Sequence, residues 1–394
     1  MLRSNQPAMT VLLGALVAVA PLAMDIYLAS MPSMARALSA SDEEVQLTLS
    51  LYMFAWGAAQ IVVGPLTDRF GRRPALIAGL MLFVAASVVC AAARDVHMLI
   101  AARIVQAAAM ATVAVVPRAV VRDLHAGEQA AQMLSLMGVV LGIAPIVAPI
   151  IGSHLHVWFG WRANFVFVAA YGALAFVVSV MPETIRTRNV RATKVRVMLA
   201  NYARLARSRT YLGYLLIAAC ATSGLFAFIA GSAFVFVSVI GTGEQGFGLL
   251  FGVVMLGNIT GSAVGSHLVA RLGINRMLRY STALMLVSGI VLAGLAWARV
   301  GHPLAIVIPM FVFMVAFMTT MPQATAGALT PFPEIAGSAS SLLSFCQLLI
   351  AASTALIVGM AFDGTQRPMA TTIAAASVLT FASYQLLIRR KARA

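Results

Sequence analysis

Twelve long apolar segments, separated by short polar loops, constrain this chain more than any other feature. A helix that crosses a bilayer needs about 20 mostly apolar residues. The chain is 61% hydrophobic and only 10% charged, which is too apolar for a soluble domain to cover its own surface. We therefore predict an all-α membrane protein whose first helix is retained. The predicted spans are 9–31, 45–66, 75–93, 97–118, 130–153, 161–182, 211–240, 246–270, 277–298, 303–326, 336–361 and 369–388.

The basic residues predict the orientation of these spans. With the N-terminus in the cytoplasm, 21 of the 27 Lys and Arg residues fall on the cytoplasmic side, and Arg103 lies inside a span. The other five lie on the outer side: Arg36, Arg94, Arg162, Arg299 and Arg367. Because basic loops stay in the cytoplasm, we predict an inner-membrane protein with both termini cytoplasmic. Topology thus explains the net charge of +15, and we predict no nucleic-acid partner.

A long basic segment divides the chain into two halves. We predict an N-terminal six-helix bundle, a basic cytoplasmic linker and a C-terminal six-helix bundle, at 1–183, 184–209 and 210–394. Residues 64–71 and 266–273 form a weak repeat in which Leu, Arg and Gly recur at the same spacing. Such a parallel repeat is typical of transporters built from two similar halves. Within the linker, residues 195–205 form either a membrane-surface helix or a charged connection.

Asp25 is the acidic residue that lies well inside a predicted span. Eleven of the twelve acidic residues fall in loops or at helix ends, whereas Asp25 lies about a turn and a half from the outer end of the first span. Arg103 lies at a similar depth in the fourth span, roughly 10 Å below the outer interface. Charged groups within a membrane are expensive and usually functional. We predict that the two residues interact and carry proton coupling, with protons as the coupling ion.

Each of these two charges has a structural alternative. Asp25 either titrates during transport, or reaches the outer interface, or caps an unwound turn beside Pro21 and Pro32. Arg103 either takes part in the transport cycle or donates hydrogen bonds to backbone carbonyls. Cysteine spacing is not of the metal-binding type, and we predict no metal site and no other cofactor.

The turn after the second span is predicted to form a conformational latch. Its two glycines allow a tight turn and close helix approach, its acid can accept hydrogen bonds from a neighbouring helix end, and its arginines stay in the cytoplasm. The alternative is a bare topology signal. The latch residues are Gly64, Asp68, Arg69, Gly71, Arg72 and Arg73.

The fifth span carries small residues and prolines at intervals of three and four, which place them on one helix face. Such a face allows close packing, while prolines bend a membrane helix. The segment is either a hinge or seal or an ordinary packing face. Its residues are Gly138, Gly142, Pro145, Pro149 and Gly152.

The binding pocket is predicted to be mostly apolar with a few polar anchors, as small-molecule sites usually are. Each candidate also has a packing or lipid-facing alternative. The candidates are Asp25, Tyr52, Trp56, Arg103, Gln106, Met110, Phe226, Ser232, Phe236, Asn258 and Gln347.

Several motifs together resemble the major facilitator superfamily, and within it the drug:proton antiporters of the bicyclomycin-resistance (Bcr/CflA) subgroup. The resemblance covers essentially the whole chain, and the sequence departs from it at Ala107, Ala108 and Leu28-Ala-Ser. The motifs are the loop Gly64–Arg73, Arg103 with Gln106, Gly142-x-x-Pro145, Asp25–Pro32, Arg118-x-x-x-Arg122-Asp123, Ala144–Pro149 and Trp161-Arg162.

The resemblance implies twelve helices, rocker-switch alternating access and export of amphipathic antibiotics or metabolites driven by inward proton flow. It also implies that Asp25 couples proton and substrate, with Arg103 nearby, in a protein that we expect to be a monomer. A proton-coupled importer or facilitator remains the alternative within transport. A receptor or scaffold would have no use for one buried acid matched in depth to one buried base. No nucleophile or phosphate-loop motif indicates an enzyme.

Overall fold

The computed structural model describes residues 7–124, 127–178, 183–184, 195–332 and 335–389. Within these ranges some side chains lie outside the description, among them those of Asp68 and Arg122. The chain packs into two compact units, Met1–Lys194 and Val195–Ala394. Eleven of the described helices are long and apolar enough to span a membrane, and Arg162–Phe176 is a shorter apolar helix. The predicted all-α membrane fold is confirmed.

The helices of the first unit are α1 to α7. Their bounds are Pro7–Asp25, Met31–Ala37, Asp42–Phe70, Arg72–Ala91, Val96–Leu124, Gly127–Phe159 and Arg162–Val178. Helix α1 packs against α5, α6 and α7, while α5 also packs against α3 and α4. The first and fourth spans, α1 and α5, are therefore neighbours.

The helices of the second unit are α8 to α13, and π-helical turns follow α9 and α13. Their bounds are Val195–Ala206, Arg209–Ala233, Gly243–Trp297, Leu304–Leu329, Ala336–Met360 and Arg367–Ser383. Helix α9 packs against α11, α12 and α13, and α10 packs against α11 and α13. Residues 195–205 of the predicted linker fall in the short helix α8.

The first span differs from its prediction as a single helix over 9–31. Helix α1 ends at Asp25, a 3-10 turn covers Leu28–Ser30, and α2 continues the span to Ala37. Pro32 lacks the N–H that would bond the Leu28 carbonyl in a continuous α-helix, and the Met31 N–H bonds that carbonyl through a tighter turn instead. The span Leu12–Ala37 therefore continues for twelve residues beyond Asp25, and the predicted end of the first span at residue 31 is wrong.

The repeat between the halves has a backbone counterpart. Gly71 separates α3 from α4 with φ 110° and ψ 155°. Gly273 interrupts α10 with φ 72° and ψ 165°, so α10 joins two spans that were predicted with a loop between them. A positive φ is easily adopted only by glycine. The same residue type therefore makes the same abrupt junction in both units.

Candidate functional site

Asp25 lies where the first span is broken. It is the last residue of α1, is 5% exposed, and its Oδ1 has no hydrogen-bond partner among the described residues. The carbonyls in the last turn of a helix lack their usual partners within the helix. The break therefore leaves both a carboxyl group and free backbone carbonyls in the interior of the first unit.

Arg103 occupies the space beside this break. Its side chain is completely buried, and its Nη1 donates to the Ala23 carbonyl at 2.9 Å and to Gln106 Oε1 at 2.6 Å. Ala23 belongs to the last turn of α1, so the guanidinium satisfies a carbonyl that the helix break has freed. This hydrogen bond is the backbone contact that the structural alternative for Arg103 predicted. It involves only Nη1 of the three guanidinium nitrogens.

Aromatic rings surround the Arg103 guanidinium. Its Cζ lies 4.0 Å from the ring centroid of Tyr52, 4.5 Å from that of Tyr27 and 5.9 Å from that of Phe165. Rings within about 6 Å attract a cation through their π faces, more strongly where water is excluded. These contacts help to hold a fixed positive charge in an apolar interior.

Asp25 and Arg103 are close enough to attract each other electrostatically. No nitrogen of Arg103 lies within 4.0 Å of a carboxyl oxygen of Asp25, so the two residues form no salt bridge. Asp25 Oδ1 and the Nε and Nη2 of Arg103 are all buried without hydrogen-bond partners in the described part of the chain. Unsatisfied buried groups of opposite charge are costly, and here they lie in one small region of the interior.

A short chain of hydrogen bonds orients Arg103. Gln106 accepts from Arg103 and donates through Nε2 to Ser87 Oγ at 2.7 Å. Ser87 in turn donates to the Phe83 carbonyl at 2.7 Å. Gln106 lies three residues after Arg103 on α5, and neighbouring positions on one helix face can interact at that spacing.

The other candidates in the first unit lie in the interior or at its edge. Tyr52 is completely buried and its hydroxyl has no partner among the described residues. Trp56, one turn further along α3, is partly exposed and its Nε1 is buried without a described partner. Met110 is completely buried on α5. The structure thus brings Tyr52 onto the Arg103 guanidinium and leaves Tyr52 and Trp56 with unused polar atoms.

The candidates in the second unit are more scattered. Phe226 and Ser232 lie on α9, and the Ser232 hydroxyl bonds the Ile229 carbonyl. Phe236, in the π-helical turn, packs against Phe247 with the two rings tilted and their centroids 6.3 Å apart. These contacts are those of a packed interior.

Asn258 and Gln347 lie on different helices of the second unit. Asn258, on α10, is 8% exposed, and its Oδ1 has no partner among the described residues. Gln347 is half-buried on α12. Neither residue approaches an ionic group through any described contact, so Asn258 is the stronger polar anchor.

The predicted latch centres on Arg72. Its Nε forms a salt bridge with Asp123 at 3.2 Å, and its Nη1 donates to Thr67 Oγ1 at 2.7 Å. The backbone N–H groups of Arg72 and Arg73 donate to the Glu183 carboxylate at 3.0 and 3.3 Å. A carboxylate at a helix N-terminus is stabilised by the free N–H groups there. Glu183 and Asp123 were not predicted as latch residues.

The remaining latch residues contribute differently. Gly71 makes the positive-φ junction, and a Cβ at that position would collide with Glu183. A Cβ at Gly64 would meet no atom of the described residues within 4 Å, so the close helix approach expected there is not found among them. Arg69 is exposed beside Phe70, 5.3 Å from its ring centroid. The side chain of Asp68 lies outside the described residues.

The small-residue face of the fifth span belongs to α6, which contains Pro145 and Pro149. A Cβ at Gly152 would collide with the Ile26 carbonyl in the break of the first span, whereas one at Gly142 would meet no described atom within 4 Å. Gly152 therefore allows α6 to touch the broken backbone next to Asp25. The surroundings of Gly138 lie outside the described residues.

Sequence reasoning missed four contributors to this site: Tyr27, Phe165, Ser87 and the Ala23 carbonyl. Aromatic and small residues within apolar runs look like lipid-facing or packing residues, so their types carry little signal. Tyr27 is the exception, because its position two residues after Asp25 was a sequence signal that it could lie near the site.

Curated proteins with similar sequences carry names of drug-resistance proteins. The chain is 30% identical to the "Bicyclomycin resistance protein homolog" of Haemophilus influenzae, covering 96% of this chain and 95% of that protein. It is 29% identical to the "Chloramphenicol resistance protein" of Pseudomonas aeruginosa, with coverages of 93% and 87%. It is also 29% identical to "Multidrug resistance protein D" of Escherichia coli, with coverages of 88% and 87%.

Solved transporters share the fold at low sequence identity. The nucleoside transporter NupG superposes with a TM-score of 0.76 at 13% identity, covering 97% of this chain and 99% of that one. A D-xylose-proton symporter gives 0.72 at 14% identity, with coverages of 94% and 97%. The sequence profile of the Major Facilitator Superfamily matches residues 13–355. This multi-pass membrane protein is therefore a transporter of the Major Facilitator Superfamily, related to drug-resistance efflux proteins.

Proposed function

We propose that the protein is a proton-coupled exporter of amphipathic drug-like molecules that works by alternating access. The observation that carries the proposal is Asp25, the one acidic side chain among those described that is buried. Its unpartnered carboxyl oxygen lies near the unpartnered nitrogens of Arg103. Acids inside membrane spans commonly mark ion and proton pathways.

Coupling follows from the change in charge at this position. An ionised Asp25 attracts the free N–H groups of Arg103, and a proton on the carboxyl group removes most of that attraction. Because guanidinium groups are not deprotonated in proteins, the proposal assigns the titration to the Asp25 carboxyl group. A substrate that displaces the proton in one access state and is displaced by it in the other would be exported as protons enter.

The number of acids limits the proton count. One titrating carboxyl group implies about one proton per cycle, and one charge crossing the membrane potential is worth about 2.3 kcal/mol per 100 mV. Export of a neutral compound would then move net charge, and export of a monovalent cation would not. This proposal requires the predicted orientation, with both termini in the cytoplasm.

The substrate class is inferred from the side chains and from the relatives. Tyr52, Trp56 and Met110 offer aromatic and apolar surface with a few unpartnered polar atoms, which suits amphipathic molecules. The similar proteins carry names that refer to bicyclomycin, chloramphenicol and multidrug resistance. We therefore propose antibiotics or metabolites of comparable size and polarity as substrates.

Antibiotic susceptibility tests the proposal directly. Cells lacking their own efflux pumps would express the wild type, Asp25→Asn or Glu43→Gln, and growth would be measured across an antibiotic panel that includes chloramphenicol. Glu43→Gln removes the same charge from an exposed position in the first turn of α3. We expect protection by the wild type and Glu43→Gln, and none by Asp25→Asn at equal amounts in the membrane.

Two results would count against the proposal. Full protection by Asp25→Asn at several pH values would reject the role of the carboxyl group. Greater sensitivity of wild-type cells than of cells with an empty vector would indicate import, the alternative direction of transport.

A further inference from the structure

A second candidate binding site lies within the C-terminal unit, away from Asp25. It is a cavity of about 390 Å³ at the ends of three helical segments. Its walls come from the π-helical turn after α9, from the end of α10 and the loop after it, and from the turn before α13. The lining residues are Val239, Ile240, Ala296, Arg299, Gly301, Thr365, Gln366 and Arg367.

Two arginines meet in this cavity although basic residues are scarce on its side of the membrane. Arg299 and Arg367 are two of the five basic residues predicted to lie on the outer side. Neither forms a salt bridge with a described residue, and the Nε of Arg367 is buried without a described partner. A pair of guanidinium groups without a salt bridge to any described residue favours an anionic ligand, and phosphate oxygens suit their geometry.

Gln366 adds a hydrogen-bond acceptor to the cavity, beside the two positively charged arginines. It is 7% exposed, and its Nε2 donates to the Val300 carbonyl at 3.1 Å. Its Oε1 is buried without a described partner and can only accept a hydrogen bond. An anion alone would leave this acceptor unsatisfied, so the ligand must also carry a donor.

A carboxylate next to the cavity reinforces that requirement. Asp363 accepts hydrogen bonds from the Thr365 hydroxyl at 2.6 Å and from its backbone N–H at 3.0 Å. These bonds, together with the Arg367 charge, lower the pKa of Asp363 below its ordinary value. The carboxylate therefore remains ionised at neutral pH and favours a cationic group beside the anion.

The cavity lies at the depth of lipid headgroups. Trp297 is the last residue of one candidate span and Arg367 is the first residue of another. Trp297 is 60% exposed, its Nε1 donates to Thr371 at 3.1 Å, and the Arg367 Cζ lies 4.8 Å from its ring centroid. Exposed Trp residues at span ends are typical of the membrane–water interface. A phospholipid headgroup in the adjacent leaflet would thus lie level with the cavity.

We propose that this cavity binds the phosphoethanolamine headgroup of a membrane phospholipid. The phosphate lies between Arg299 and Arg367, and the ammonium group donates to Gln366 Oε1 with Asp363 as a nearby counter-charge. The acyl chains leave past Val239 and Trp297, which are both exposed. This assignment does not depend on the direction or substrate of transport.

Lipid titration of the purified, delipidated full-length protein tests the assignment, with bound lipids counted by native mass spectrometry. The lipids are phosphatidylethanolamine and phosphatidylglycerol, which share the phosphate and differ in the ammonium group. We expect one phosphatidylethanolamine to bind about tenfold more tightly than phosphatidylglycerol. Equal binding of both lipids by the wild type would overturn the proposal, whatever the variants do.

Variants locate the site. The pair Arg299→Gln and Arg367→Gln should bind phosphatidylethanolamine about tenfold more weakly than the wild type. The pair Arg36→Gln and Arg94→Gln removes the same charge from exposed positions on the predicted outer side and should bind like the wild type. Equal losses in both pairs would contradict the assignment. Gln366→Leu should reduce the preference for phosphatidylethanolamine while leaving phosphatidylglycerol binding unchanged.

Soluble competitors distinguish a lipid from a free anion. Glycerophosphoethanolamine carries the whole headgroup without acyl chains, and inorganic phosphate carries the phosphate group alone. We expect neither to displace the lipid at equal concentration. Displacement by either compound at that concentration would make the cavity a site for free anions and would overturn the lipid assignment.

Discussion

The Arg103 guanidinium is held by contacts that only a planar cation can make together. It donates to the Ala23 carbonyl and to Gln106, and it lies over the rings of Tyr27 and Tyr52. Lysine carries the same charge but lacks the planar fork of donors and stacks less well on aromatic rings. The shape of the side chain at this position therefore matters as well as its charge.

The substitution Arg103→Lys tests that claim. We expect drug efflux to fall at least about tenfold, since several hydrogen bonds and ring contacts are lost at once. Efflux of a fluorescent substrate from cells measures the effect. Arg94→Lys changes the same group on an exposed loop and should leave efflux unchanged. Wild-type efflux by Arg103→Lys would show that positive charge alone suffices.

Single residues were predictable where they broke the pattern around them. Asp25 and Arg103 stood out because charges are rare in apolar runs, and their helices do pack against each other. Tyr27 and Phe165 were not identified as neighbours of Arg103, because aromatic residues are common in membrane helices. The free Ala23 carbonyl depends on a helix break, and side-chain patterns do not report which carbonyls lack partners.

Among the helices, the broken first span sets the geometry of the site. Helix α6 approaches the break so closely that a side chain at Gly152 would strike the Ile26 carbonyl. Small residues permit such backbone contacts between membrane helices. The contact supports the unwound segment that carries Asp25 and Tyr27.

Two glycine-to-alanine substitutions in α6 distinguish the effect of this close contact on stability from the effect of helix propensity. Gly152→Ala should lower the melting temperature of the purified protein, because overpacking typically costs about 1–3 kcal/mol. Gly142→Ala places the same methyl group where no atom in the described part of the chain lies within 4 Å and should be neutral or slightly stabilising. Equal melting temperatures for the two variants would contradict the close packing at Gly152.

Span positions were predictable, but interruptions within spans were not. Apolar runs located the helices because the bilayer requires a minimum length. The break after Asp25 depends on local backbone bonding, whereas the junction at Gly273 falls in the loop predicted between the eighth and ninth spans. Pro32 was visible in the sequence, yet proline also occurs inside uninterrupted membrane helices.

For the whole molecule, one physical constraint carried the prediction of the fold. A chain with 61% hydrophobic residues and evenly spaced apolar runs has few stable alternatives to a bundle of spanning helices. The glycine junctions at Gly71 and Gly273 extend the weak sequence repeat to the backbone. The function depends on far fewer residues than the fold, and on one carboxyl group in particular.

Proton movement in liposomes tests the role of that carboxyl group most directly. Purified protein would be reconstituted with a pH-sensitive dye in the lumen, and the antibiotic against which the wild type protects best would be added outside. We predict a substrate-dependent pH change with the wild type and none with Asp25→Asn at equal amounts of folded protein. A substrate-dependent pH change of wild-type size with Asp25→Asn would contradict the account.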